Sequence, residues 1–365
     1  MDSTRKCHEG RDRESNQKMS IWSPRNLLHL ALLLGLSLWI AACNNQDRQP
    51  EQHLEEVPSG DTNENQHPDA QTSRDSLHFI LAAGKIERQA NFSSEFISPR
   101  NIDVWLPDGY SEEKSYPVLY MQDGQMLFDP TKTWNAKEWE MDEMVDFLSI
   151  NGRMVAIIVV GIHSVEGDRY EDYLPEGPLE SLAESDKAAI AEATNFQGKK
   201  LFDEALSSND YVEFLTKELK PFIDEKYATK SEKENTYIGG SSMGGLISLY
   251  AMGEHPEVFG GAACFSPHWL GTFDTLNNPI PSQLLEYLAQ SLPKWRDNQL
   301  YMDSGGIGLD RHYLPYIAQA DSIIKATTTG SEEWYVFQHP SDDHNEDYWK
   351  NRLPQALVLL LASKH

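Results

Sequence analysis

Six consecutive apolar residues, Val155-Ala156-Ile157-Ile158-Val159-Val160, constrain this chain more than any other stretch. A strand wet on one side alternates apolar and polar positions; this run has no polar face and must be covered on both sides. That is the pattern of an interior strand in a parallel sheet, and the rest of the chain supplies neighbours for it. Strand-like runs are expected at 100–106, 117–121, 154–161, 235–239, 260–265, 298–302 and 333–337. Helix-like stretches separate them. Residues 210–227 carry Val212, Leu215, Leu219, Phe222 and Ile223 near a 3.6-residue period. Residues 242–253, 310–325 and 345–364 are the others, the last expected to break at Pro354. Strands alternating with helices imply an α/β domain, a mostly parallel central sheet with helices on both faces. Between 168 and 209 the periodicity fades while acidic and alanine residues accumulate, so this segment is the expected lid or cap insertion.

The domain is expected to occupy residues 76–365. Ahead of it, residues 27–40 are almost wholly apolar, broken by His29, Gly35 and Ser37 and preceded by Arg25. A spanning helix needs about 20 such residues, so this shorter run suits the core of an export signal. It ends in Ile40-Ala41-Ala42-Cys43, which resembles the bacterial lipobox: an aliphatic residue, two small ones, then the cysteine that is lipidated. Residues 1–42 are therefore expected to be a lipoprotein signal peptide, with Met19 the more natural start, and Cys43 the lipid anchor. The protein is expected to be exported and held at a bacterial membrane. Residues 43–75 are rich in Asn, Gln, Asp, Glu and Pro and bury too little apolar surface to offset their ordering entropy, so they read as a flexible tether. The three cysteines, Cys7, Cys43 and Cys264, show no C-x-x-C spacing, which argues against a disulfide framework or a thiolate metal site. A formal charge of −26 offers no basic footprint for phosphates, so nucleic acid is not an expected partner.

Chemistry concentrates at residue 242. Tyr237-Ile238-Gly239-Gly240-Ser241-Ser242-Met243-Gly244-Gly245 reads as a short apolar strand, a glycine cluster and a helix start, and Gly240 to Gly244 fits G-x-S-x-G. A nucleophilic serine in that pattern sits on a strained strand-to-helix turn. Glycines two before and two after it leave room where side chains would collide. Ser242 is then the nucleophile and Ser241 the spacer.

A nucleophilic serine needs a base, and the base an orienting acid. Among the later histidines, His344 follows the last strand and precedes the last helix, whereas His339 lies directly after that strand with Pro340 behind it. His344 is the expected base. The acid is expected after the strand at 298–302, where Asp303 ends the strand and Asp310 closes a glycine-rich loop. Spacing does not choose between them.

Several motifs then occur in order. Tyr116 to Gln125 (YPVLYMQDGQ), Glu218-Leu219-Lys220-Pro221-Phe222-Ile223, Gly240 to Gly245, Pro256-Glu257-Val258-Phe259, Phe265-Ser266-Pro267, the loop ending in Asp310, and His344 with Trp349 together resemble the putative esterase family of the α/β-hydrolase superfamily. That family includes feruloyl esterases, enterochelin esterases and mycolyltransferases. The likeness covers about residues 78–362, and departs from many relatives in having Asp343 before the histidine and a long segment at 168–209. It implies the α/β-hydrolase fold, with Asp310 as the acid; Asp303, at the end of its strand, then reads as a turn former. It implies a serine carboxylic-ester hydrolase working through an acyl-enzyme, with the oxyanion held by the N–H of Met243 and a second N–H near Gly124 or Gln125. No metal or organic cofactor is required. Small-molecule, saccharide or siderophore esters are the implied substrates. An acyltransferase of the same fold, or a non-catalytic surface-binding lipoprotein, are the alternatives.

Overall fold

The computed structural model describes residues 79–195 and 197–362. The expected signal peptide, Cys43 and the tether lie outside the described residues.

Eight strands form one sheet: β1 (Lys85–Phe92), β2 (Arg100–Leu106), β3 (Val118–Gln122), β4 (Ile158–Ile162), β5 (Thr236–Ser241), β6 (Gly261–Phe265), β7 (Gln299–Gly305) and β8 (Trp334–His339). Their spatial order is β1-β2-β4-β3-β5-β6-β7-β8. β1 and β2 are antiparallel to their neighbours, and every pairing from β4 to β8 is parallel. The expected mostly parallel α/β architecture is therefore what the chain adopts. The helices of eight or more residues are α1 (Met141–Ile150), α2 (Glu184–Ala191), α3 (Met243–Glu254), α4 (Ile280–Ser291), α5 (Leu314–Thr327) and α6 (Glu346–Leu361).

Pleating sends successive side chains of each central strand to opposite layers. Val159, Met121 and Phe265 enter a core capped by α1 and α6. Ile158, Val160, Tyr120 and Cys264 enter the other, capped by α3, α4 and α5. The apolar run at 155–160 is covered on both faces for this reason. It yields a shorter strand than expected, however. Val155 N–H donates to Leu361 O at the end of α6, and sheet pairing begins only at Ile158.

Four further differences have local causes. β1 is an edge strand of mostly polar residues paired with β2 alone, so it carries no apolar signal. The stretch expected as one helix at 210–227 is three pieces, Ser208–Glu213, a π-helical turn at Phe214–Leu219, and Lys220–Lys226. Pro221 supplies no N–H and its ring crowds the preceding turn, which is the one that widens. α6, by contrast, runs unbroken through Pro354. Leu353, Ala356, Leu357 and Leu360 around it are buried against the sheet, and that packing offsets one lost helical hydrogen bond. The segment 168–209 folds as Arg169–Tyr173, a 3-10 turn at Gly177–Leu179, and α2. Tyr173, Leu174, Leu179, Leu201 and Phe202 from it are buried in the main core.

Candidate active site

β5 ends at Ser241 and α3 begins at Met243. Ser242 between them has φ 56° and ψ −123°, a conformation costly for any residue with a Cβ. Neighbouring backbone holds it there. Ser242 N–H donates to Phe265 O (2.9 Å), and Ser242 O accepts from His268 N–H (3.1 Å) and Leu246 N–H (3.1 Å). A Cβ at either Gly240 or Gly244 would stand 2.9 Å from the Cβ of Gln122, so only glycine lets β3 approach the turn this closely. The result aims the Ser242 hydroxyl above the sheet. Ser241 remains the last residue of β5.

His344 precedes α6, whose N-cap is Asn345, its side chain accepting from Asp347 N–H. His344 Nε2 lies 2.9 Å from Ser242 Oγ, and Nδ1 lies 2.6 Å from Asp310 Oδ1. The imidazole is gripped edge-on by Tyr313 (5.5 Å between centroids, 78°) and Trp349 (5.0 Å, 83°). Asp343, the departure from the family pattern, accepts the His344 N–H through Oδ1 at 2.7 Å. His339 ends β8, and its buried Nε2 has no partner among the described residues.

Asp310 is fully buried. Burial alone would raise its carboxyl. Hydrogen bonds from His344, Ser266 and the Gly305 N–H outweigh this and hold it below the ordinary aspartate value. Asp303 is not the strand-end turn former the sequence suggested. It lies inside β7, completely buried, because the strand runs on to Gly305. Its Oδ2 accepts from Tyr301 Oη (2.7 Å), and its Oδ1 accepts from Ser266 N–H (3.1 Å) and faces Arg352 Nη1 (3.2 Å). Burial pushes its carboxyl up, against the pull of Arg352.

After β3, Asp123 takes a left-handed conformation (φ 53°) and Gly124–Met126 form a 3-10 turn. Among the described residues the backbone N–H groups of Met243 and Gln125 have no protein acceptor. The turn is tied down twice. Gln125 Nε2 donates to Ser164 Oγ (2.7 Å) while its Oε1 accepts from Ser164 N–H (3.2 Å). Arg169 grips Asp123 bidentately, Nε and Nη2 each 2.7 Å from a carboxylate oxygen. Sequence reasoning missed this pair, since nothing local links an aspartate before one turn to an arginine 46 residues on. It also missed His268, which burial pushes down to about 3 and which is therefore neutral; its Nε2 lies 2.9 Å from Thr272 O, and Tyr313 Oη bonds its Nδ1.

Ser242 and His344 open onto a cavity of about 660 Å³. Trp134, Trp139, Trp349 and Tyr170 give it aromatic walls, and Arg169, Lys199, Lys200 and Asp203 come from the 168–209 segment.

A serine on a strained strand-to-helix turn, facing a histidine after the last strand of this sheet order, defines the α/β-hydrolase class. Residues 93–360 match the family described as Esterase, "Putative esterase". The chain belongs to that family. It is similar to the uncharacterized protein YbbA of Bacillus subtilis (strain 168), 26% identical over 162 residues, 44% of this chain and 54% of that protein. The match thus spans about half the length of this relative. In fold it is similar to the enterobactin esterase FES from Shigella flexneri, crystallised in the presence of enterobactin (TM-score 0.52, 15% identity, 78% of this chain and 61% of that one). It is likewise similar to a CE1 ferulic acid esterase from Anaeromyces mucronatus in complex with ferulic acid (TM-score 0.51, 18% identity, 76% and 91% covered).

Proposed function

We propose that the chain hydrolyses esters through Ser242, His344 and Asp310 by way of an acyl-enzyme. The observation that carries this is the unbroken line of contacts from Asp310 Oδ1 to His344 Nδ1 (2.6 Å) and from His344 Nε2 to Ser242 Oγ (2.9 Å), at the edge of an open cavity. With Asp310 ionised, the imidazole keeps its proton on Nδ1 and presents a lone pair on Nε2. Nε2 removes the Ser242 proton as Oγ attacks the ester carbonyl, and Asp310 stabilises the imidazolium. The imidazolium then protonates the departing alcohol. Water, deprotonated by the same Nε2, releases the acid from Ser242. The oxyanion of each tetrahedral intermediate is held by the free N–H of Met243, at the start of α3, and that of Gln125 in the turn opened by Gly124. Losing one such donor costs about 10²–10³ in rate.

The substrate is a small-molecule ester with a ring near the scissile bond, of the siderophore or acylated-saccharide kind. Support comes from the aromatic walls of the cavity and from the enterobactin and ferulic acid named for the structural neighbours. The enzyme acts outside the cytoplasm, tethered through lipid on Cys43 after removal of residues 1–42. The motif around Cys43 supports that reading. A panel of chromogenic esters of rising acyl size, beside feruloyl, acetyl-sugar and trilactone substrates, tests the proposal. Turnover that survives in Ser242→Ala, or absence of turnover on every member, overturns it.

A further inference from the structure

Ser266 lies directly after β6, is fully buried, and has φ 42°, a strained value for serine. Its hydroxyl is at the centre of a buried network. Trp349 Nε1 and Arg352 Nη2 each donate to Ser266 Oγ at 3.2 Å. A hydroxyl has two lone pairs and one proton. Both lone pairs are taken by groups that only donate, so the proton has one direction left, towards Asp310 Oδ2 at 2.7 Å. Gly305 N–H donates to the same oxygen at 2.7 Å. Oδ2 is thereby anchored to the protein, and Oδ1 is left for His344. Arg352 in turn is held by Asp303 Oδ1, which also accepts the Ser266 N–H.

We propose that Ser266, with its proton aimed by Arg352 and Trp349, is the positioning residue of the catalytic acid, setting which oxygen Asp310 offers to His344 and in what plane. The proposal rests on the triad reading above and adds a residue to it. It also accounts for the strain: the conformation with φ 42° lets backbone N–H and side-chain hydroxyl of one residue reach Asp303 and Asp310 at once.

Deleting the hydroxyl in Ser266→Ala leaves Asp310 with one donor on Oδ2. The carboxylate is freer to rotate, and its charge is less neutralised. Rotation misaligns the imidazole, so kcat falls about tenfold to a hundredfold, as expected for one hydrogen bond to a charged acceptor, with KM nearly unchanged. The less neutralised carboxylate holds the imidazolium more firmly. The acid limb of the kcat/KM profile therefore moves to higher pH. Ser266→Gly also lacks the hydroxyl but relieves the strain at φ 42°, so its melting temperature is expected at or above that of Ser266→Ala. Both variants are read by steady-state kinetics across pH, by thermal melts, and by the nitrogen chemical shifts of ¹⁵N-histidine-labelled protein.

The expected result is loss of kcat in both variants, with the acid limb of kcat/KM at higher pH and changed His344 nitrogen shifts, whatever the ranking of stability. Wild-type kcat, wild-type pH profile and wild-type His344 nitrogen shifts in both overturn the proposal. So does activity that follows melting temperature, with Ser266→Gly restored to the wild-type rate. If the wild-type protein cleaves no ester, the catalytic reading fails by itself, and the His344 nitrogen shifts still decide whether Ser266 governs Asp310.

Discussion

Replacing Asp310 by asparagine tests the triad at its most constrained point. The two carboxylate oxygens of Asp310 face opposite demands. Oδ2 receives two donors, the Ser266 hydroxyl and the Gly305 N–H, each at 2.7 Å. Oδ1 receives one, His344 Nδ1–H at 2.6 Å. Asparagine has one oxygen and one NH₂. Placing NH₂ at the Oδ2 position would oppose two buried donors, so the oxygen goes there and NH₂ points at His344. The imidazole must then accept at Nδ1 and carry its proton on Nε2, facing Ser242. In that tautomer it cannot take the serine proton. The acid-to-amide change in a serine protease costs about 10⁴ in kcat, or about 5.4 kcal/mol of transition-state stabilisation, and a loss of that order is expected here. The comparison is Asp303→Asn. Asp303 touches Arg352, Tyr301 and Ser266 but not His344, so its loss weakens a buried ion pair, at a cost of up to about 3–5 kcal/mol of stability. Activity per folded molecule should change far less. Chromogenic-ester kinetics on both variants, normalised by circular-dichroism melts, decide the matter. A folded, inactive Asp303→Asn beside a near-wild-type Asp310→Asn would refute the assignment of the acid.

Ser242→Ala is expected to abolish turnover with the fold intact, whereas Ser241→Ala stays active; a fluorophosphonate probe and mass mapping of the labelled serine give the check. Arg169→Ala releases the bidentate hold on Asp123 and loosens the turn that carries Gln125, so kcat falls by up to about 10²-fold, and added guanidinium restores part of it. An Arg169→Ala enzyme with wild-type kcat would separate the 168–209 segment from the chemistry. Burial and neighbouring acids push Glu138 up to about 8, and burial with Asp142 pushes Glu143 up to about 7, both from 4.5. The folded state therefore holds protons that the unfolded chain has shed, and stability falls as pH rises from about 5 to about 8. Melts across that range should show the decline in wild type and a flatter curve in Glu138→Gln. Cys43→Ser is expected to release the protein from the membrane fraction or block its processing; wild-type protein that takes up no labelled palmitate would argue for a plain export signal.

Much of the architecture was legible because its signals are local. A run with no polar face at 155–160 called for a two-sided sheet, and β5, the glycine turn and α3 are contiguous in the chain. The edge strand β1 was not legible, because only Ile86 and Phe92 of it pack against the cores and the residues between them are mostly polar, so no apolar alternation marks it. α6 crossing Pro354 was not legible either, since what keeps it continuous is the sheet beneath it. At the candidate site the residue types and their chain order could be read directly, but contact could not. His344 meets Ser242 across 102 residues and Asp310 across 34, and nothing in the spacing of Asp303 and Asp310 tells which of them faces the imidazole. Both aspartates follow from the same strand and loop. One is turned inward to Arg352, the other to His344. The Asp123–Arg169 clasp and the Ser266 network belong wholly to the tertiary structure. Hydrophobic period and backbone strain are properties of neighbouring residues and are written in sequence. Which oxygen a buried donor faces depends on where distant elements pack, and only the folded chain decides that.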